Sequence, residues 1–261
     1  MDKKVAVITG ASGGIGEAFA RLLASEGYDL VLAARSVDRL ESLARELNST
    51  HGIDARAMRS DLAEPGAARV LARDIRGSGR PVSLLVNNAG FGTFGEFRSM
   101  DPDRIRDMIQ VNITALTELT RALLPDLIER GSAGILNVAS TAAFLPGPLM
   151  AVYFATKAYV LSFGEALREE LRGTGVTVTT LCPGPTTSGF QTAAGMEKSG
   201  LVRGRRLMSA EKAAAAGYRG LVRGRSLVIP GIANRIQAFS PRLAPRALLP
   251  RILMALQKPV V

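Results

Sequence analysis

The chain of 261 residues has one cysteine, one histidine and no tryptophan. With Cys182 alone, no disulfide closes within the chain and no multi-cysteine zinc site can be built; a reducing compartment fits, and the expected location is the cytoplasm. A single histidine, His51, excludes a histidine-rich metal centre and argues against a Ser-His-Asp hydrolase, so no metal is expected. No run of about 18 apolar residues occurs, so nothing reads as membrane-spanning. The apolar stretch beginning at Val5 is short and runs into a glycine turn, so no secretory leader is expected. Acids are scarce in one place only. Of the 23 Asp and Glu, a single one, Glu211, falls in residues 200–261, against 12 of the 33 Lys and Arg. The formal charge of +10 therefore lies wholly in the last quarter of the chain.

The composition, 47% apolar and 21% charged, is that of a globular chain with one sizeable core. Apolar runs read as strands at 4–9, 29–34, 55–59, 82–86, 134–139, 176–181 and 227–229. Helical periodicity separates them at 14–25, 36–47, 65–75, 101–129, 151–171 and 209–222, with an interruption expected near Pro125. Helix-separated, nearly all-apolar strands imply a parallel sheet covered on both faces. The expected fold is α/β, a single Rossmann-type doubly wound domain of about seven strands over residues 1–230. Residues 183–208, rich in Gly, Thr and Ser, read as an irregular loop.

Residues 231–261 form a basic, apolar extension, broken by Pro241, Pro245 and Pro250 into short helical pieces. Arg235, Arg242, Arg246 and Arg251 alternate there with Ile232, Ile236, Phe239, Leu243 and later aliphatics. Two readings stand: helices that pack on or beside the core with arginines in water, or peripheral contact with an anionic membrane surface. Nucleic acid is not expected, because Tyr218 and Phe239 are the only aromatics available for stacking in that quarter.

Between the first strand and first helix runs Thr9-Gly10-Ala11-Ser12-Gly13-Gly14-Ile15-Gly16. Such a turn lets backbone N–H groups and a helix N-terminus approach a pyrophosphate. Alone it is a weak signal; after the first strand of an α/β chain it points to a dinucleotide. At the end of the second strand, where an NAD site places Asp or Glu, stand Ala34-Arg35-Ser36. Arg35, helped by Arg39, suits the 2′-phosphate of NADP(H), which is expected in preference to NAD(H); a plain surface arginine is the alternative. Asp61, after the third strand, can accept from an adenine amino group, or be an ordinary surface acid.

Ser140 follows the fifth strand, and Tyr153 and Lys157 lie four apart on the next helix, hence on one face. Ligands bind at the carboxyl ends of parallel strands, and Arg35, Asp61, Asn87 and Ser140 all fall there. Reducing a carbonyl needs a proton donor. A free tyrosine titrates near 10, so bringing it near 7 takes roughly 4 kcal/mol. An ammonium about 5 Å away supplies about 3 kcal/mol at an effective dielectric of about 20. Tyr153 alone would more often be a packing tyrosine; with Ser140, Lys157 and the glycine turn it reads as catalytic.

The motifs TGASGGIG at 9–16, NNAG at 87–90, VNITA at 111–115, Ser140, Y-x-x-x-K at 153–157 and PGPT at 183–186 resemble the short-chain dehydrogenase/reductase family over residues 3–230. The NADP-preferring branch, near bacterial hydroxysteroid and retinol reductases, is the most similar. The resemblance implies an NADP(H)-dependent oxidoreductase that transfers hydride between cofactor and the carbonyl or secondary alcohol of an apolar ketone, aldehyde or alcohol. Tyr153 is then the general acid/base, Ser140 positions the carbonyl oxygen, and Lys157 lowers the tyrosine pKa and binds the nicotinamide ribose. Asn112 holds a relay water. Gly10, Ser12, Gly14, Ile15, Gly16, Asp61, Leu62, Asn87, Ala89 and Gly90 match cofactor-contacting positions, as do Pro183, Gly184 and Thr186, where the family closes over the nicotinamide. Ser140 is followed by Thr-Ala-Ala-Phe, so Phe144 is expected to narrow or reshape the substrate side. Phe91, Phe94, Leu145, Leu149, Met150, Phe190 and Met196 are candidates for an apolar pocket, and the family implies a homodimer or homotetramer through helices near 101–129 and 151–172. A non-catalytic NADP-binding regulator, or a membrane-surface scaffold, is the alternative.

Overall fold

A computed structural model describes residues 4–196, 199, 207–243 and 245–257. Apolar runs become the strands β1 (Val5–Thr9), β2 (Asp29–Ala34), β3 (Ala55–Arg59), β4 (Val82–Asn87), β5 (Ala133–Val138) and β6 (Val176–Leu181). Two short strands, β7 (Thr186–Thr187) and β8 (Met208–Ser209), pair with each other, and β9 (Leu227–Val228) closes the main sheet. The main sheet has seven parallel strands in the order β3-β2-β1-β4-β5-β6-β9. The strand order reverses direction between β1 and β4, which opens a crevice at their carboxyl ends.

Alternate strand residues face opposite layers. Ala6, Ile8, Leu30, Leu32, Val86 and Leu136 pack under α1 (Gly14–Ser25), α2 (Val37–His51) and, farther along the chain, α8 (Ala210–Val222). Val5, Val7, Val31, Leu85 and Ile135 pack under α3 (Ala67–Gly77), α5 (Leu116–Arg130) and α6 (Ala151–Glu170). The remaining helices are α4 (Pro102–Ile109), α7 (Phe190–Ala193), α9 (Ile232–Phe239) and α10 (Leu249–Gln257). This is the doubly wound α/β domain expected from the strand pattern.

The expected long helix over 101–129 is broken, but not at Pro125, which stays inside α5. The break is a π-helical turn, Gln110–Ala115, between α4 and α5. It widens the helix at Asn112, and π turns of this kind commonly serve functional sites. The loop expected over 183–208 contains β7 and α7, while 197–198 and 200–206 lie outside the described residues.

α6 approaches β6 closely because Gly164 has no side chain; a Cβ there would overlap the Thr180 hydroxyl. Gly164→Val should therefore push α6 off the sheet and lower stability by about 1–3 kcal/mol, read by urea denaturation.

Candidate active site

The first turn brings the backbone of β1 to the end of β4. The Asn88 amide donates to the carbonyls of Thr9 (2.9 Å) and Gly10 (3.2 Å), and the Thr9 hydroxyl accepts from the N–H groups of Asn88 and Ala89 (both 3.0 Å). Gly10 and Gly14 have φ of 66° and 56°, in the left-handed region that glycine enters without strain. A Cβ on Gly16 would strike the Gly10 carbonyl, so that glycine lets α1 start directly beneath the turn. α1 begins with no side-chain cap, so its first-turn N–H groups are left for another acceptor.

Above the turn lies a cavity of about 410 Å³. One end is walled by Gly10, Ser12, Gly14, Ile15, Arg35 and Arg39. The other is walled by Ser140, Tyr153 and Lys157. Ala89, Gly90, Pro183, Gly184 and Thr186 lie between. An anion at the glycine end would meet an uncapped helix N-terminus and two exposed guanidinium groups. That donor set, and a turn that side chains would fill, fit the phosphates of a dinucleotide carrying a 2′-phosphate.

Five of the expected site residues lie outside the cavity wall. Gly16 serves the close approach just described. Asp61 caps the turn after β3, accepting from Ala63 N (3.1 Å), and Leu62 beside it is buried. Asn87 is the last residue of β4, and strand alternation turns it into the sheet. Its amide donates to Thr120 Oγ1 and Asn137 Oδ1 (2.9 Å each), and Asn88, one position on, takes the place at the cavity. Asn112 does not face the cavity either. Its amide donates to Phe91 O (2.9 Å) and Thr156 Oγ1 (3.0 Å), and its oxygen accepts from Phe91 N (3.1 Å). Both amide hydrogens are thus used within the protein. Asn112 ties the strand-β4 loop to α6, and its carbonyl oxygen keeps a second lone pair that can accept from a relay water.

Ser140 lies in extended backbone at the end of β5 and caps the short 3-10 turn Thr141–Phe144, accepting from Ala142 N (3.1 Å). Its hydroxyl hydrogen-bonds Tyr153. Lys157, one turn further along α6, is buried and donates to the carbonyl of Val138 (2.8 Å), with its Nζ 5.8 Å from the centre of the Tyr153 ring. Gly90 gives this end its space, since a Cβ there would come within 3.0 Å of Asn112 Oδ1 and 3.3 Å of Lys157 Nζ.

Burial sets the titration of the pair. It pushes the Tyr153 phenol up to about 12, against the hydrogen bond from Ser140, and pushes Lys157 down to about 8. Burial therefore works against the acidified phenol expected from an adjacent ammonium. Burial is the largest cause, and Tyr153 keeps its proton through the neutral range, where Lys157, held down to about 8, is still mostly ammonium. The Cys182 thiol, buried at the end of β6, is also pushed up to about 12 and so stays protonated.

The apolar end is an aromatic and methionine cluster: Phe91, Leu145, Met150, Phe190 and Met196, all anticipated, and Phe154, which was not. Phe94 packs behind it, and neither Phe94 nor Leu149 reaches the cavity. Leu149 has the φ of 61° that side-chain-bearing residues rarely adopt, and its carbonyl accepts from Gly95. Phe144 does not narrow the pocket. The 3-10 turn rotates it onto the cluster of Leu116, Ala139 and Val160, away from the cavity. Gln191, Gln237 and Leu253 complete the wall. The last two come from α9 and α10, and no motif marks them. Among the described residues no group of three or more His, Cys, Asp or Glu is placed to hold a metal ion.

A family model for short chain dehydrogenases matches residues 4–198. The human very-long-chain 3-oxoacyl-CoA reductase is 34% identical over 182 residues, which cover 68% of this chain and 58% of that protein. The chain therefore spans less than three fifths of that relative. The solved short-chain dehydrogenase from Sphingobium yanoikuyae in complex with NADPH superposes with a TM-score of 0.83 at 32% identity, covering 97% of this chain and 95% of that one. The L-sorbose reductase from Gluconobacter frateurii, complexed with NADPH and L-sorbose, gives 0.77 at 28% identity, covering 89% and 97%.

The Lys157 ammonium is a proton that the fold disfavours. Between pH about 8 and 10.5 the unfolded lysine holds a proton that the folded one has released, so stability should rise with pH across that window. Measured by urea denaturation against Lys157→Met, which has no such group, the rise should be on the order of 3 kcal/mol.

Proposed function

This chain belongs to the short-chain dehydrogenase family, and on that premise we propose that it is an NADP(H)-dependent reductase of apolar ketones or aldehydes. One observation carries the reading: Arg35, the glycine turn and the Ser140–Tyr153–Lys157 group wall a single cavity whose far side is apolar.

Gly10, Ser12, Gly14 and Ile15 would hold the pyrophosphate, Arg35 and Arg39 the 2′-phosphate, and Ala89, Gly90, Pro183, Gly184 and Thr186 the nicotinamide end. When bound, the reduced nicotinamide supplies a hydride. Tyr153 donates its proton to the carbonyl oxygen as negative charge develops there. A phenol held up at about 12 is a proton donor at any neutral pH, which suits the reductive direction. The Ser140 oxygen accepts from Ala142 N and its proton is directed at Tyr153, so a substrate oxygen seated beside the phenol would take over that hydrogen bond. Once Tyr153 has given up its proton, the neighbouring Lys157 ammonium stabilises the phenolate left behind. Asn112 positions this group through Phe91 and Thr156 and makes no contact with substrate.

The wall of Phe91, Met150, Phe154, Phe190 and Met196 offers a substrate shape and dispersion and few polar partners, so a bulky apolar carbonyl compound is favoured. We also infer a homo-oligomer, supported by the exposed Ile109, Ile128 and Tyr159 on α4, α5 and α6.

A screen of NADPH oxidation over steroid, retinoid, fatty-acyl and small carbonyl compounds should find turnover among the bulky apolar ones. With that substrate, Tyr153→Phe should lower kcat by roughly 100-fold or more while NADPH still binds, as read by its fluorescence. Full activity in Tyr153→Phe would remove the mechanism. Arg35→Asp should weaken NADPH binding by roughly 10- to 100-fold and leave NADH binding unchanged or tighter.

A further inference from the structure

α9 and α10 face two ways. Inward, Ala238 and Leu253 are buried, and Gln237 and Leu253 form part of the cavity wall. Outward, Ile232, Ile236, Phe239 and Leu243 stand at i, i+4, i+7 and i+11 along α9 and the 3-10 turn after it, all exposed; Leu243 is 90% exposed and Ile232 76%. Leu248, just before α10, and Ile252 and Leu256 on it form a second outward stripe. A soluble helix of a folded domain turns such a stripe towards its core. Here the core-facing positions are already occupied and the apolar stripes lie outside.

The charges around this face have one sign. Arg235, Arg242, Arg246 and Arg251 are all exposed, and Arg242 lies with its guanidinium 4.9 Å from the centre of the Phe239 ring. From residue 212 to the end of the chain there is no Asp or Glu at all. A face that is apolar in the middle and cationic at its edges complements an anionic, apolar surface. A second copy of the chain does not fit it, since a two-fold contact through this face would set arginines against arginines with no acid to pair them. The two stripes are carried by short helices broken at prolines, and bulky side chains project from them. That is the form of an interfacial segment lying in a headgroup layer.

We propose that the outer face of α9 and α10 docks the protein on a bilayer containing anionic phospholipid. Docking places one wall of the cavity, through Gln237 and Leu253, next to the lipid surface. This gives an apolar carbonyl compound a short path from the bilayer to Tyr153, a consequence that rests on the reductase reading; the docking itself does not.

The test is co-sedimentation of the 261-residue chain, loaded with NADPH, with vesicles. Vesicles of equal parts phosphatidylglycerol and phosphatidylcholine should pellet it, vesicles of phosphatidylcholine alone should not, and added salt should release it. Ile236→Ser/Phe239→Ser/Leu243→Ser and Arg242→Glu/Arg246→Glu/Arg251→Glu should each reduce the bound fraction at least roughly tenfold. NADPH titrations matching wild type will certify that both variants are folded. The proposal is overturned if the wild-type protein stays in the supernatant with anionic vesicles, or if the apolar variant pellets as well as wild type. It is also overturned if sedimentation velocity without lipid shows that the apolar variant dissociates an oligomer, because the face would then be covered by a second copy. Vesicle binding is read without a carbonyl substrate, so a failure of the reductase reading appears in NADPH oxidation and leaves this result standing.

Discussion

The site rests on the burial of a phenol and an ammonium side by side, with no carboxylate among the described residues paired with either. Tyr153 and Lys157 are both largely buried at the cavity wall, and burial pushes each toward its neutral form. The phenol keeps its proton, and the lysine, held down to about 8, stays mostly ammonium at neutral pH. What holds the lysine in place is not an ion pair but a hydrogen bond to the Val138 carbonyl at the end of β5. The same strand end presents Ser140, so one short stretch of backbone fixes all three side chains relative to the sheet. Closing this pocket over a substrate keeps the proton on Tyr153 until charge develops on the oxygen it faces.

The doubly wound topology makes the rest of the cavity follow from position in the sheet. Every parallel strand delivers its carboxyl end to one edge, and the order reversal between β1 and β4 opens that edge. The glycine turn occupies one side of the opening and β5 the other. The Asn88 amide and the Thr9 hydroxyl clamp β1 to the end of β4 through side chain–backbone hydrogen bonds, so the phosphate end and the proton-transfer end are set by the same β1–β4 contact. The close approaches at Gly16, Gly90 and Gly164 are the packing conditions for that geometry, each with a named atom where a side chain would otherwise sit.

Much of this is legible in the sequence because it is periodic or local. Apolar runs of strand length separated by helical periodicity give the sheet, and the four-residue spacing of Tyr153 and Lys157 gives their shared face. The departures have physical causes that spacing does not carry. Asn87 and Asn88 differ by one position, and strand alternation alone decides which meets the cavity. Pro125 is the strongest breaker in its segment, yet the helix breaks at Asn112, where the side chain finds partners on Phe91 and Thr156 across a π turn. Phe144 was expected at the substrate, but its 3-10 turn packs it elsewhere. A Coulomb argument between Tyr153 and Lys157 predicts an acidic phenol, because the cost of desolvation depends on depth, which a sequence does not reveal. Gln237 and Leu253 reach the cavity only because the chain folds back over it.

The measurement closest to this account is the ionisation of Tyr153 itself, followed as tyrosinate absorbance in cofactor-free wild-type protein minus Tyr153→Phe while the pH is raised. The account predicts no Tyr153 signal through the ordinary range around 10, with ionisation displaced to about 12. A Tyr153 midpoint at or below 10.0, the value of a free phenol, would contradict it, since burial would then not be what holds the catalytic proton.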